Sequence, residues 1–222
     1  MTRFFDFLLA SLGLALLSPI LMVVGVLLKC TGEGEVFFFQ NRSGLFGRQI
    51  RIVKFATMLK NSPNIGTQTV TIKDDPRVLP VGRFLRKTKL NEVPQLWNVV
   101  KGEMSLIGPR PQAPENFSMF SEQSREAISR VKPGLSGVGS LIFHNEEEIL
   151  DNRAKSFYAD IVMPYKGELE EWYYDNLSIR LYFCLIALTV WQILFPKSRL
   201  VWFVIPALPR PPEALRTQLQ AK

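Results

Sequence analysis

The sequence is poor in the residues that most often carry thiol, imidazole and transition-metal chemistry. Among 222 residues there are two cysteines, Cys30 and Cys184, and one histidine, His144. Two cysteines exclude a disulfide scaffold and a cysteine-based zinc site, and point to a reduced compartment. One histidine excludes a multi-histidine metal site, and a Ser-His-Asp mechanism would have to run through His144 alone. There is no internal repeat and no nucleic-acid-binding motif. With 47% hydrophobic and 21% charged residues, the chain is neither disordered nor of low complexity. Its length suits one domain, or a small domain with an anchor.

Positive charge and one long apolar run are what the chain has in quantity. A net charge of +7 suits anionic partners: lipid headgroups, phosphorylated substrates or nucleic acid. The aromatic residues lie in apolar runs rather than among the basic ones, so no nucleic acid is expected. Residues Phe4 to Leu28 carry one charge, Asp6. About 20 apolar residues cross a bilayer, so the run is long enough. It is too long for a signal-peptide core, and no small-residue cleavage site follows it. Ser18-Pro19 interrupts it, and proline removes a backbone donor and clashes with the preceding turn. Two forms stay open: a spanning helix with a kink, or a re-entrant helix broken at Ser18-Pro19 whose halves are each too short to cross. Asp6 and Arg3 are placed to meet on one helix face at the headgroup level.

After this run, Val36 to Phe39 reads as a short strand, Asn41 to Gly47 as a turn and Gln49 to Phe55 as a second strand. Asn61 to Gly66 reads as a loop. Between Lys73 and Arg110 there are eight Lys or Arg against four Asp or Glu, so the basic surplus is concentrated there. Lys132 to Gly139 reads as a turn region and Glu146-Glu147-Glu148 as a solvated helix start. After a break at Lys166-Gly167, residues Leu169, Trp172, Tyr173 and Asn176 share one helical face. The apolar run Leu181 to Phe195 would reach about 22 Å as a helix, short of a bilayer. It reads as an interfacial helix or as a buried core helix.

The densest chemistry lies in Arg83 to Gln95 and Gly108-Pro109-Arg110-Pro111. Glu92 stands among Arg86, Lys87 and Lys89, a field that lowers a carboxylate's pKa and collects phosphates. Arg110, held between two prolines, suits bidentate phosphate binding. A basic helix face with an ordinary salt bridge is the plainer alternative. Lys54 could contact phosphate or cap a strand edge. His144 reads as structural or solvent-exposed, and Cys30 as an unmodified thiol.

Across these residues the chain resembles the bacterial sugar transferases, the monotopic phosphoglycosyl transferases. The resemblance runs in order through nearly the whole chain: Ser18-Pro19, Val36 to Gln40, Lys54-Phe55 with Thr57-Met58, Asp74-Asp75-Pro76-Arg77, Gly82 to Thr88, Glu92 with Pro94 to Val99, Lys101 to Pro111, and Val131 to Gly137. It implies an α/β fold, mostly helical with a small β-hairpin: a re-entrant membrane helix (1–30), a cytosolic catalytic domain (31–180) and a C-terminal interfacial helix and tail (181–222). It also implies a magnesium-dependent transfer of a sugar-1-phosphate from a UDP-sugar to undecaprenyl phosphate at the cytoplasmic face of the bacterial inner membrane. UMP is released, as the first step of O-antigen, capsule or exopolysaccharide synthesis. Glu92 and Asn91 then fall on the catalytic and metal positions, and Lys54, Arg86 and Arg110 on substrate-binding ones.

Two residues depart from the family pattern. Asn91 stands where the family has the nucleophilic aspartate, and Ala56 where it often has an arginine. An amide is a poor nucleophile and a weaker magnesium ligand than a carboxylate. Three consequences are open. Glu92 takes over as nucleophile; another carboxylate, Asp74, Asp75 or Glu103, supplies the metal site; or the chain is a silent homologue that scaffolds a membrane pathway.

Overall fold

The computed structural model describes residues 2–65, 74–150 and 155–219. Helix α1 (Thr2–Cys30) takes up the N-terminal apolar run, and its 29 residues rise about 43 Å. The expected break at Ser18-Pro19 is instead a continuous helix with Pro19 inside it. Proline withholds the N–H that would serve the carbonyl four residues earlier, that of Ala15. Ser18 Oγ donates to that carbonyl at 2.8 Å, so the polar group is satisfied and the helix runs on.

One stripe of α1 faces the protein along most of its length. Ala10 and Leu14 pack with Ile52, Leu96, Val99 and Met104, while Leu21, Val24 and Leu28 pack with Phe55 and Leu85. Phe4, Leu8, Leu12, Leu16, Val23 and Leu27 are apolar yet exposed. The helix is long and apolar enough to cross a membrane, and its composition is compatible with membrane association. The Asp6–Arg3 pair expected from their spacing does not form. Asp6 is only 1% exposed and accepts from Ser105 Oγ, the Leu106 N–H and Tyr182 Oη at 2.8–2.9 Å. Arg3 instead donates to the carbonyls of Val99 and Val100. A buried carboxylate requires donors, and the protein supplies closer ones than Arg3.

Strands β1 (Phe37–Ser43) and β2 (Gln49–Phe55) form an antiparallel hairpin, with Phe37 opposite Phe55 and Ser43 opposite Gln49. The first strand runs further than its apolar residues suggest. Asn41, Arg42 and Ser43 belong to the ladder, and the turn shrinks to Gly44–Arg48. The loop from Asn61 contains a 3-10 turn, Ser62–Asn64, and Gly66 lies outside the described residues. Helix α2 (Pro80–Lys87) carries exposed basic residues, and a 3-10 segment, Leu90–Gln95, leads into α3 (Leu96–Lys101).

A second sheet pairs β3 (Ser105–Ile107) in parallel with β4 (Gly134–Ser136), the latter inside the region read as turn. Between them lie α4 (Pro114–Phe117) and α5 (Glu122–Ser129). Helices α6 (Val138–Ile142), α7 (Glu146–Ile149) and α8 (Lys155–Phe157) follow. A π-turn, Tyr158–Val162, then opens into α9 (Met163–Asp175). Pro164 has no N–H for the Asp160 carbonyl, and a π-turn there re-spaces the ladder. The helix does not break at Lys166-Gly167. A Cβ at Gly167 would lie 2.3 Å from Ser124 Oγ, so glycine serves the close packing of α5 on α9.

Helix α10 (Ile179–Leu194) buries one face and exposes the other. Tyr182, Leu185 and Leu188 enter the main core with Val138, Leu141, Val162, Met163, Tyr165 and Leu169. Ile179, Phe183, Val190, Ile193 and Leu194 are exposed. Two short helices, α11 (Leu200–Val204) and α12 (Glu213–Arg216), close the described chain.

Candidate functional site

Three separate elements converge on one carboxylate. Strand β2 supplies Lys54, the 3-10 segment after Lys89 supplies Asn91 and Glu92, and the Pro109-Arg110-Pro111 loop after β3 supplies Arg110. Arg110 grips Glu92 with both nitrogens, Nη2 to Oε1 at 2.5 Å and Nη1 to Oε2 at 3.2 Å. Lys54 Nζ donates to Oε1 at 3.3 Å. Burial alone would raise the Glu92 pKa, but Arg110 and Lys54 outweigh it and hold the carboxyl well below the usual range. Burial pulls Lys54 down to about 8, with Glu92 opposing that shift and Arg110 and Arg42 adding to it. Arg42, on β1, is drawn down to about 10 by burial and by Arg110. Three cations against one carboxylate leave two positive charges in excess, an arrangement suited to a diphosphate.

These residues line one large cleft of about 1990 Å³. Arg86 lines it too, from α2, with Nη1 3.9 Å from Met58 Sδ. Asn91 is buried, and its Oδ1 has no hydrogen-bond partner among the described residues. The other carboxylates considered for a metal are differently placed. Asp75 is held by both Nε and Nη2 of buried Arg77, which also donates to the carbonyls of Ser62 and Ile65. Glu103 Oε2 accepts from Asn98 Nδ2 at 2.7 Å. Asp74 is exposed, in a left-handed conformation (φ 53°). Among the described residues, no three acidic, histidine or cysteine side chains group to hold a metal.

Several polar residues of the cleft were not legible as site residues from sequence. Glu146, read as solvated, pairs with buried Lys166 at 2.5 Å. Lys166 Nζ lies 4.9 Å from the Phe143 ring centre and 5.6 Å from that of Tyr158, in the π-turn. Glu170, one helical turn after Lys166, is 5% exposed, and its Oε2 has no partner among the described residues. The one available signal was the Lys-x-x-x-Glu spacing on an otherwise buried helix face. Arg42 gave none, because it fell in residues read as turn. His144 is half-buried beside Lys89, and burial lowers its pKa to about 4, so it is neutral.

Burial raises the Glu170 pKa from 4.5 to about 7, against the pull of Lys166 and the Gly139 N–H. The folded state therefore binds more protons than the unfolded state between these values. Stability is fullest below pH 4.5 and falls as pH rises towards 7, by about 3 kcal/mol in all. We expect the melting temperature to fall between pH 5 and 7.5 relative to Glu170→Gln. Parallel profiles for the two proteins would mean that the carboxyl is ionised throughout.

Comparison with known proteins shows the family. Residues 1–196 match the family model described as bacterial sugar transferase. The chain belongs to the bacterial sugar transferase family. It is 36% identical over 205 residues to the UDP-glucose:undecaprenyl-phosphate glucose-1-phosphate transferase of Klebsiella pneumoniae, covering 88% of this chain and 40% of that one. It is 38% identical over 155 residues to the UDP-N-acetylgalactosamine-undecaprenyl-phosphate N-acetylgalactosaminephosphotransferase of Aeromonas hydrophila, covering 69% and 36%. The exopolysaccharide production protein ExoY of Sinorhizobium fredii is 35% identical over 158 residues, covering 65% and 70%. The chain thus spans about two fifths of the first two relatives' length. Among the described residues Glu92 is the carboxylate between Lys54 and Arg110, with Asn91 beside it where the family resemblance implies an aspartate.

Proposed function

We propose that this sugar transferase moves a sugar-1-phosphate from a UDP-sugar to undecaprenyl phosphate, releasing UMP, for polysaccharide synthesis. The observation that carries the reading is Glu92 held ionised between Lys54 and Arg110 in a cleft with excess positive charge. A Glu92 oxygen attacks the β-phosphorus, the bond to the bridging oxygen breaks, and UMP leaves with that oxygen. The resulting acyl phosphate is opened by an oxygen of the lipid phosphate, which restores the Glu92 carboxylate. Splitting one phosphoryl transfer into two steps lets a soluble donor and a lipid acceptor react in turn. Diphosphate entry draws Arg110 and Lys54 from Glu92 onto phosphate oxygens, which frees the carboxylate to attack. Arg42 and Arg86 hold the outer phosphate oxygens.

The donor set fits magnesium that arrives with the diphosphate. Asn91 Oδ1 is an unpartnered buried oxygen next to Glu92, and magnesium accepts one or two protein oxygens alongside phosphates and water. Asn91 and Glu92 would hold it, and when bound it neutralises charge developing on the diphosphate.

A placement of α1 on one side of the bilayer, rather than a crossing, is supported by where its two ends lie. Arg3 and Asp6 at one end and Leu28 at the other all pack on the same protein body. A crossing helix would send these ends to opposite sides of the bilayer. The apolar stripe opposite would then lie in lipid at the cytoplasmic face of the inner membrane, with 31–180 as the catalytic unit and 181–222 at the interface. The scaffold reading finds no support in relatives whose names are those of transferases.

The test is UMP release by the purified, detergent-solubilised chain with magnesium, undecaprenyl phosphate and a panel of UDP-sugars. Release that needs both magnesium and a UDP-sugar is expected. No release from any donor by folded protein would overturn the proposal.

A further inference from the structure

Helix α10 joins the exposed apolar face of α1 to the cation cluster. At its start, Tyr182 Oη donates to Asp6 of α1 at 2.8 Å, and the Phe183 ring meets that of Phe5 edge-on at 5.0 Å. Phe5 in turn meets the ring of Phe4, which is exposed on α1. Two turns further along α10, Thr189 Oγ1 lies 2.8 Å from Ser136 Oγ of β4. The Gly108 N–H donates to the Ser136 carbonyl at 2.9 Å, and the Gly134 N–H to the Pro109 carbonyl at 2.8 Å. Arg110 follows directly on the residues that β4 holds. The first turn of α10 is thus fixed beside α1, and its later turns beside the loop that carries Arg110.

Between these points runs an apolar track. Ile179, Phe183, Ile186, Val190 and Ile193 recur at helical spacing, so they share one face over about 21 Å. Phe183, Val190 and Ile193 are 41%, 54% and 51% exposed, so the face is open among the described residues. Ile186, Val190 and Ile193 also line the cleft that holds Glu92, Lys54 and Arg110. The track side chains are hydrocarbon throughout. The hydroxyl beside them, that of Thr189, donates to the Leu185 carbonyl at 2.7 Å and so accepts from Ser136. A sugar or a nucleotide gains no hydrogen bond from such a surface, whereas a hydrocarbon chain gains by leaving water. The ligand that fits both ends carries a phosphate for the cations and a long apolar tail.

We propose that the face of α10 from Ile179 to Ile193 is the track that receives the prenyl chain of the lipid phosphate and leads its phosphate to the cation cluster. This rests on the transferase reading above and names the residues by which the acceptor is recognised. A chain lying in lipid along α1 passes onto α10 without crossing water.

Val190→Asn and Ile193→Asn test the track singly in the full chain in detergent. Both side chains are exposed, so the replacements leave the core untouched. The kcat/KM for undecaprenyl phosphate, relative to that for the much shorter geranyl phosphate, is expected to fall about tenfold or more in each variant. An unchanged ratio in both variants would overturn the track. Flotation with vesicles of phosphatidylethanolamine and phosphatidylglycerol, free of prenyl phosphate, identifies a general membrane anchor. Variants that lose flotation would show that this face holds bulk lipid only, which also overturns the proposal. A second readout needs no turnover. Undecaprenyl phosphate with a diazirine on its chain should crosslink within 179–195, and undecaprenyl phosphate should compete where phosphatidylglycerol does not. Crosslinking elsewhere, or equal competition by both lipids, would overturn the track. Crosslinking there with no UMP release would instead count against the transferase reading alone.

Discussion

In the proposed reaction, replacing Glu92 with glutamine abolishes the stoichiometric burst of UMP expected when the chain meets a UDP-sugar without a lipid acceptor. Steady-state transfer will fall by at least about 10³-fold, the order of loss expected when a covalent nucleophile is removed. Glutamine keeps the shape but loses the charge, and it leaves Arg110 and Lys54 without their counter-ion inside the cleft. Mass spectrometry of the quenched half-reaction should show a phosphosugar adduct on wild-type chain and none on Glu92→Gln. An adduct that survives in Glu92→Gln would move the nucleophile elsewhere, and peptide mapping would then locate it. The companion variant Asn91→Asp restores the carboxylate that the family resemblance implies at that position. Its activity should equal or exceed that of wild type. If activity appears only in that variant, the natural chain is silent.

Substituting Asp6 should be the most damaging single change outside the cleft. Its carboxylate joins three elements that are distant in sequence: α1, β3 and α10. Asp6→Ala leaves two hydroxyls and one N–H buried without an acceptor, a loss of about 3 kcal/mol or more. Asp6→Asn keeps one acceptor oxygen and should lose less. Chemical denaturation in detergent, with Tyr182→Phe to complete a double-mutant cycle, measures the share of that hydrogen bond. Coupling between the two positions should be about 1 kcal/mol or more. If the two variants simply add, the α1 carboxylate does not hold α10 in place.

Much of the architecture was written in local pattern. The apolar run of α1, the alternation through Gln49 to Phe55 and the basic stretch before Glu92 each announce an element by composition or periodicity. Strand β2 ends where its alternation ends. The hairpin turn was misplaced because Asn41, Arg42 and Ser43 are turn formers by type, yet pairing with Arg51, Ile50 and Gln49 keeps them extended. The second sheet was invisible because strands of three residues, Ser105–Ile107 and Gly134–Ser136, carry no readable period. Lys166-Gly167 looked like a helix stop, but close packing against Ser124 makes glycine a requirement of the helix there.

The candidate site divides in the same way. The sequence by itself determined the membrane-compatible helix and the family, and singled out Glu92, Lys54 and Arg110 as candidates, because these rest on residue types in a fixed order. Only the tertiary structure decided what each charge faces. Asp6 turned inward to β3 and α10 rather than towards Arg3. Asp75 was consumed by Arg77, and Glu146 was drawn from solvent to Lys166. Charge and polarity are properties of single residues and can be read along a chain. Partnership depends on distances of a few ångströms between segments far apart in sequence, and only folding sets those.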